Sequence, residues 1–298
     1  MNRGSGSTTQ SSNRSGILGN VTVRPQLGEF LRSRRSRVRP CDVGLPMGSD
    51  RRVAGLRREE VALLANVSVD YYVRLEQDRA PNPSAAVLDS LSSALKLTEA
   101  EHAHLRLLAA PPAKQRPEPA VVRPTVVAMI TGLTETPAIV LDRLSNVIAW
   151  NAAAAALLTD FGALSPAERN LTRLYFLDPA ARELYLDWKT VAKDVVGHLR
   201  RTSAEYADDP ELGALVEELS TRCPEFATWW QGHDVSISAH CPKRLDHPVA
   251  GRLDLDLEVL ELPGDHGQHL MTYTPSDGST RVRLQALIRS HTREAWSA

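Results

Sequence analysis

The stretch Leu56 to Arg79 constrains this chain more than any other, because its residues fit only two short helices joined by a tight turn. Val61, Leu64 and Ala65 recur at the three- and four-residue steps of one apolar stripe. Glu59 and Glu60 stand in that helix's first turn, where carboxylates suit the positive end of the dipole. Asn66 then interrupts the run. Asparagine tolerates positive φ better than other side chains, so it can end one helix and start a turn. Ser68 follows as an N-cap, its hydroxyl placed to accept from the N–H of Asp70 or Tyr71. In the second helix Tyr72 and Leu75 face inward with Val67, which leaves Ser68, Val69, Asp70, Val73 and Arg74 facing out. The small Ala62, the turn residue Asn66 and the inward Tyr72 give helix-turn-helix spacing.

An outward face of this kind is what a recognition helix offers to the major groove, where its N-terminal residues meet base edges. Arg74 can fork onto a guanine or hold a phosphate, Ser68 can do either more weakly, and Asp70 can accept from a cytosine amino group or orient Arg74. Arg57, Arg58, Ser68, Val69, Asp70 and Arg74 are therefore the candidate DNA contacts. Charge supports the reading. The net charge is only −1, yet Arg24 to Arg58 carries ten arginines against Glu29, Asp42 and Asp50, with no lysine. Such a cluster is the footprint of a phosphate-binding surface, and Arg34, Arg35, Arg51 and Arg52 are expected on the DNA backbone.

With 298 residues and 42% hydrophobic content the chain has material for two packed cores. Residues 1–22, rich in Ser, Gly and Asn, read as a disordered arm. A helix-turn-helix domain of five helices occupies 23–110: Pro25 to Val38, the central pair, Ser84 to about Leu95, and a last helix opened by the capping box Thr98-Glu99-Ala100-Glu101. Pro40 to Gly48 reads as a loop ending at Arg51-Arg52. A proline-rich linker covers 111–120. Residues 121–298 form the second domain, which carries all five tryptophans. A helix from Val121 to about Leu133 precedes strands at Pro137–Asp142 and Asn146–Trp150 around a turn, and Asn151 opens an alanine-rich helix to Leu158. Helices are expected at about Pro166–Phe176, Pro179–Arg201 and Pro210–Gln231, then strands at Lys243–Val249, Leu253–Leu262 and Gln268–Thr274, then a helix near Ser279–Ser290. The alternation of Leu253, Leu255, Leu257 and Val259 with Asp254, Asp256 and Glu258 marks a strand with one buried face. The fold class is α+β, a small antiparallel sheet covered by helices.

Such a sheet commonly encloses a pocket, and aromatic residues with a few polar groups suit an amphipathic ligand. Arg169, Asn170, Arg173 and His233 are candidates for a head group, and Trp150, Phe176, Trp188 and Trp230 for an apolar wall; Asn151, beside Trp150, completes the set. No G-x-S-x-G, P-loop, dinucleotide glycine fingerprint or H-E-x-x-H is present, so no enzyme and no cofactor is expected. His233, His240, Cys241, His247, His266 and His269 have the spacing of no standard metal site, and no metal is expected. Three scattered cysteines, no long apolar run and no apolar leader suggest a cytoplasmic protein without membrane insertion. Two other readings remain: a DNA-binding module joined to a protein-interaction or dimerisation domain, and one tethered to an enzyme domain.

From about Leu27 to Leu287 the chain resembles bacterial XRE-class helix-turn-helix regulators carrying an MmyB-like ligand-binding domain. The resemblance rests on Asp42-Val43-Gly44-Leu45-Pro46, Gly55 to Ala62, Val67 to Gln77, Pro137-Ala138-Ile139-Val140, Ala149-Trp150-Asn151, Arg169-Asn170 and Trp229 to Val235. It implies a transcription regulator with a PAS-like sensor domain, a fatty acid as one ligand seen in the family, and homodimers on palindromic double-stranded DNA operators. The chain departs from the pattern at Asn66 and Asp78, where the family usually has glycine. The second departure is expected to loosen the turn before Pro81 without touching the reading face.

Overall fold

The computed structural model describes residues 27–46, 51, 53–80, 82–110, 121–206, 209–233, 240–264 and 267–295. The expected arm at 1–22, the linker at 111–120 and Arg52 lie outside them. The first body holds α1 (Leu27–Arg37), α2 (Arg58–Leu64), α3 (Val69–Glu76), α4 (Ala85–Ala94) and α5 (Glu99–Ala109), with a single 3-10 turn at Pro40–Val43 inside the expected loop. Local chemistry sets the ends of these helices. Ser68, Ser84 and Thr98 each accept the N–H three residues on, from Tyr71, Val87 and Glu101. Asn66 turns the chain at φ 52°. Their inner faces, joined by Leu56 from the segment before α2, share a core of Phe30, Leu31, Val61, Tyr72, Leu75, Leu91 and Leu105.

Asp78 also sits at positive φ, 55°. It does not loosen its turn: its Oδ1 accepts from the N–H of Gly28 at 2.9 Å, so the carboxylate caps the start of α1. Gly28 is required there, since a Cβ would lie 2.3 Å from the Glu76 carbonyl oxygen.

The second body begins with α6 (Pro124–Gly132), β1 (Ala138–Leu141) and β2 (Val147–Trp150), continues through α7 (Ala152–Leu157), α8 (Leu171–Leu177), α9 (Pro179–Leu184), α10 (Trp188–Glu205), α11 (Pro210–Arg222) and α12 (Pro224–Gln231), and closes with β3 (His240–His247), β4 (Gly251–Glu261), β5 (His269–Pro275) and α13 (Gly278–Ala295). The strands form one antiparallel sheet in the order β2-β1-β5-β4-β3. Both faces of β1 are covered: Ala138 and Val140 join Val126 and Ile130 of α6 on one, Ile139 and Leu141 the larger core on the other.

Three expected helices are shorter than the sequence pattern suggested. Residues before Asn170 form turns, because Asn170 caps α8 by accepting from Arg173 N–H. The stretch Pro179–Arg201 breaks at Tyr185–Asp187, where Leu186 N–H donates to Arg244 O on β3. Pro210–Gln231 breaks at Cys223, which the following proline holds extended at φ −131°. Among the described residues no helix is long and apolar enough to cross a membrane.

Candidate nucleic-acid interface and ligand cavity

On α3, Ser68, Val69, Asp70 and Arg74 are all exposed and lie on the side turned away from Tyr72 and Leu75, as a reading face requires. Arg57, at the N-cap of α2, is also exposed. Arg58 is 45% exposed, with its Nε 2.7 Å from Glu76 Oε2.

Three of the arginines expected on phosphates have partners within the chain. Arg35 lies 2.6 Å from Glu76 Oε1 and donates to Leu56 O, so it ties α1 to α3. Burial alone would raise the Glu76 carboxyl, but hydrogen bonds from Arg35 and Arg58 outweigh it and hold the group below its ordinary value. Arg51 grips Glu60 with both terminal nitrogens, at 2.6 and 2.8 Å, and donates to Gly55 O. The Arg51 bond and the Arg57 N–H together bring Glu60 down to about 2, against the cost of burial. Arg34 is buried over the Phe30 ring, 3.2 Å from Glu101, and donates to the carbonyl of His233. Arg37 and Ser33 donate to Gly232 O at the same place. The arginine cluster thus faces two ways, and one side binds the carbonyl end of α12, where a helix dipole attracts cations.

A cavity of about 290 Å³ lies between the sheet, α8 and α10. Its apolar walls are Leu141, Leu171, Val191, Val195, Leu257, Val259 and Met271, and its polar groups include Thr172, Asp194, His198, Arg201, Cys241, Lys243, Glu261 and His269. Val191, Asp194, Val195, His198 and Arg201 follow one face of α10. Lys243, on the inward face of β3 and only 4% exposed, has Asp194 at 3.6 Å and the Cys241 sulfur at 3.1 Å. Burial holds His198 down near about 4 and lowers His269, whose ring meets it edge-on at 5.7 Å. Thr172 is fully buried, and its hydroxyl has no hydrogen-bond partner among the described residues.

Residues 26–105 match a helix-turn-helix domain family, and residues 122–287 match the ligand-binding domain of MmyB-like transcription regulators. The chain belongs to the MmyB-like transcription regulators. A comparison with curated proteins finds no match.

In this MmyB-like domain none of the nine expected ligand residues lines the cavity just described. Trp150 sits under the Arg169 guanidinium at 5.2 Å, and Arg169 donates to Leu164 O. Asn170 donates to Leu144 O and Asn146 Oδ1, and Arg173 pairs with Glu218. Phe176 meets Phe226 and Trp188 edge-on, and the Trp188 indole donates to Tyr175 O. Asn151 caps α7 and bonds three carbonyls. Trp230 stacks on Phe226 with Arg200 above its ring, and Arg200 reaches His233 Nδ1 at 3.1 Å. These are packing and bracing duties in the core beside the cavity. The histidines scatter as well: His247 contacts Ala156 O, while His233 lies against α1.

α10 joins the two halves. Arg200, two residues past His198 and so roughly 200° around the helix, faces the opposite way from the cavity residues. It meets His233, and the helix packs along α5 of the first body. Burial, with Arg200 and Arg34 nearby, keeps His104 of α5 down near about 3 and therefore neutral.

Proposed function

We propose that this protein changes its affinity for a DNA operator when a small amphiphile with an anionic head group, such as a fatty acid, enters the cavity. α10 is the observation that carries the reading: one side of it lines the cavity and the other holds the DNA-binding helices. A ligand shifts operator affinity only by binding the two states differently, and a helix touching both sites gives it the means. The head group belongs to Arg201. Lys243 already has Asp194 as counter-ion, whereas Arg201 makes no salt bridge or side-chain hydrogen bond among the described residues. The chain of such a ligand fits between Val191, Val195, Leu257, Val259 and Met271. The Thr172 hydroxyl offers it a further polar partner.

The protein acts in the cytoplasm as a homodimer, each recognition helix taking one half of a palindromic site. Arg57, Arg58, Ser68, Val69, Asp70 and Arg74 meet the DNA; Arg34, Arg35 and Arg51 do not. Arg74→Ala is expected to cost about 1–3 kcal/mol on an operator selected from random duplexes, and little on unselected DNA. Fluorescence anisotropy on both duplexes checks this, and an equal loss on the two removes Arg74 from base reading.

The ligand half is tested by melting curves and operator titrations with decanoate and myristate. One of the two raises the melting temperature and shifts operator affinity by about 5–150-fold. Arg201→Ala abolishes both effects, while Arg200→Ala keeps the stabilisation and loses most of the shift. Fatty acids that leave both readouts of the wild type unchanged would turn the second domain toward dimerisation or partner docking.

A further inference from the structure

Cys241, Lys243 and Asp194 form a group that amphiphile binding does not use. All three line the cavity. The Cys241 sulfur lies 3.1 Å from the Lys243 ammonium and 3.6 Å from Asp194 Oδ2. Lys243 is buried in a strand whose inward neighbours on the same face are Cys241, Leu245 and His247, so its amine is held against the sulfur and not free to swing into water. Of the other cysteines, Cys41 is exposed on the first body and Cys223 is buried away from the cavity.

We propose that Cys241 is a covalent capture site for alkyl α,β-unsaturated carbonyl compounds that enter this cavity. The chemistry closes within the residues present. The Cys241 thiol gives its proton to the Asp194 carboxylate, and the sulfur attacks the β-carbon of the enone. One C–S bond forms, the C=C π bond breaks, and its electron pair moves to the α-carbon and carbonyl oxygen as an enolate. Lys243 lies beside the charge on sulfur before attack and can donate to the enolate oxygen after it. The α-carbon then takes back the proton from Asp194. The net change is addition of S–H across C=C, with no oxidant, reductant or leaving group. The walls that suit a fatty acid chain suit the alkyl part of such an electrophile, and in that respect the inference rests on the proposed use of the cavity. It adds a different event, a covalent one, at the Asp194 end of the lining of α10, about two helical turns before Arg201.

The test is intact-mass and peptide-mass analysis of the full chain treated with a stoichiometric amount of trans-3-decen-2-one, with 2-decanone as the saturated control. One adduct is expected, on Cys241, forming at least tenfold faster than any on Cys41, although Cys41 is the more exposed thiol. Cys241→Ser removes the fast adduct, and excess decanoate slows it. Lys243→Met slows it by about tenfold or more. The comparison of Cys241 with Cys41 in the wild-type chain needs no variant to fold. Labelling of Cys41 first, or equal rates at both, overturns the proposal. If 2-decanone or decanoate raises the melting temperature while the enone leaves Cys241 unmodified, capture fails and the amphiphile reading stands. If neither ligand stabilises the chain and Cys241 still reacts fast, the amphiphile reading fails alone.

Discussion

Glu76→Ala is expected to lose about 3–5 kcal/mol of stability in the DNA-binding helices, the effect of removing one partner from a buried ion pair. Glu76 is 1% exposed and lies between Arg35 and Arg58. Arg35, 13% exposed, would keep its charge with no carboxylate to meet it. Arg58 is 45% exposed and can turn to water, so Arg58→Ala is expected to cost no more than about 1 kcal/mol. The two variants separate the buried contact from the surface one. Operator binding should disappear with Glu76→Ala, since α3 carries both Glu76 and the reading face. All five tryptophans lie at or beyond residue 150, so their fluorescence transition should stay near its wild-type position while circular dichroism shows the first body melting early. The pH dependence has a definite sign. A carboxyl held below its ordinary value contributes its stability above the unfolded value of about 4.3 and loses it as pH falls through the folded one. Below that range, wild type and Glu76→Ala should converge. A variant within 1 kcal/mol of wild type at neutral pH would show that Arg35 finds another partner.

The DNA-binding half was legible because its signals are local. A serine or threonine cap lies three residues from the N–H it binds, and the apolar stripe repeats within a turn. Asn66, Ser68, Ser84 and Thr98 each state their role within four positions. The partners of the arginines were not legible for the opposite reason: Arg35 meets Glu76 across 41 positions and Arg34 reaches His233 across 199, and no periodicity reports a partner so far away. A cluster of one charge reads as a phosphate surface until its counter-ions are placed. The carboxylate at position 76, one residue past the inward Leu75, is the nearest thing to a warning.

The lining of this cavity is hard to read from the sequence for a related reason. Tryptophan and phenylalanine attracted the ligand assignment, but large rings fill space, and here Phe176, Trp188, Phe226 and Trp230 fill the core among themselves. A hollow persists where smaller side chains meet: valines on α10, leucine and methionine on the sheet. The sequence pattern starts this strand at Lys243, whereas it begins at His240 and carries Cys241, Lys243, Leu245 and His247 on its inner face. An inward lysine on a strand breaks the alternation rule, and such breaks fall where a fold trades stability for a site.

Asn151 gives the sharpest contrast between a ligand role and a structural one, and substituting it is expected to cost as much as any change in the second body. Its Oδ1 accepts from Ala138 N–H, at the start of β1, and from Ala154 N–H, in the first turn of α7. Its Nδ2 is within hydrogen-bond distance of the carbonyls of Ile130, Leu133 and Thr136, which end α6 and lead into β1. One buried amide thus joins two helices and a strand. Asn151→Ala leaves those backbone groups without their partner, and at about 1–3 kcal/mol for each buried group that finds no other, the loss is expected to reach at least about 3 kcal/mol. Asn151→Asp keeps the acceptor and the volume but turns the donor toward three carbonyls as an oxygen. At neutral pH it should be no more stable than the alanine variant. Carbonyls and burial raise that aspartate's folded pKa above its unfolded value near 3.9, so its stability should recover as pH falls through the folded value, when the protonated acid can donate once. Urea unfolding followed by tryptophan fluorescence at two pH values reads both effects. Wild-type stability in the alanine variant, with weakened fatty acid binding alone, would return Asn151 to the ligand site.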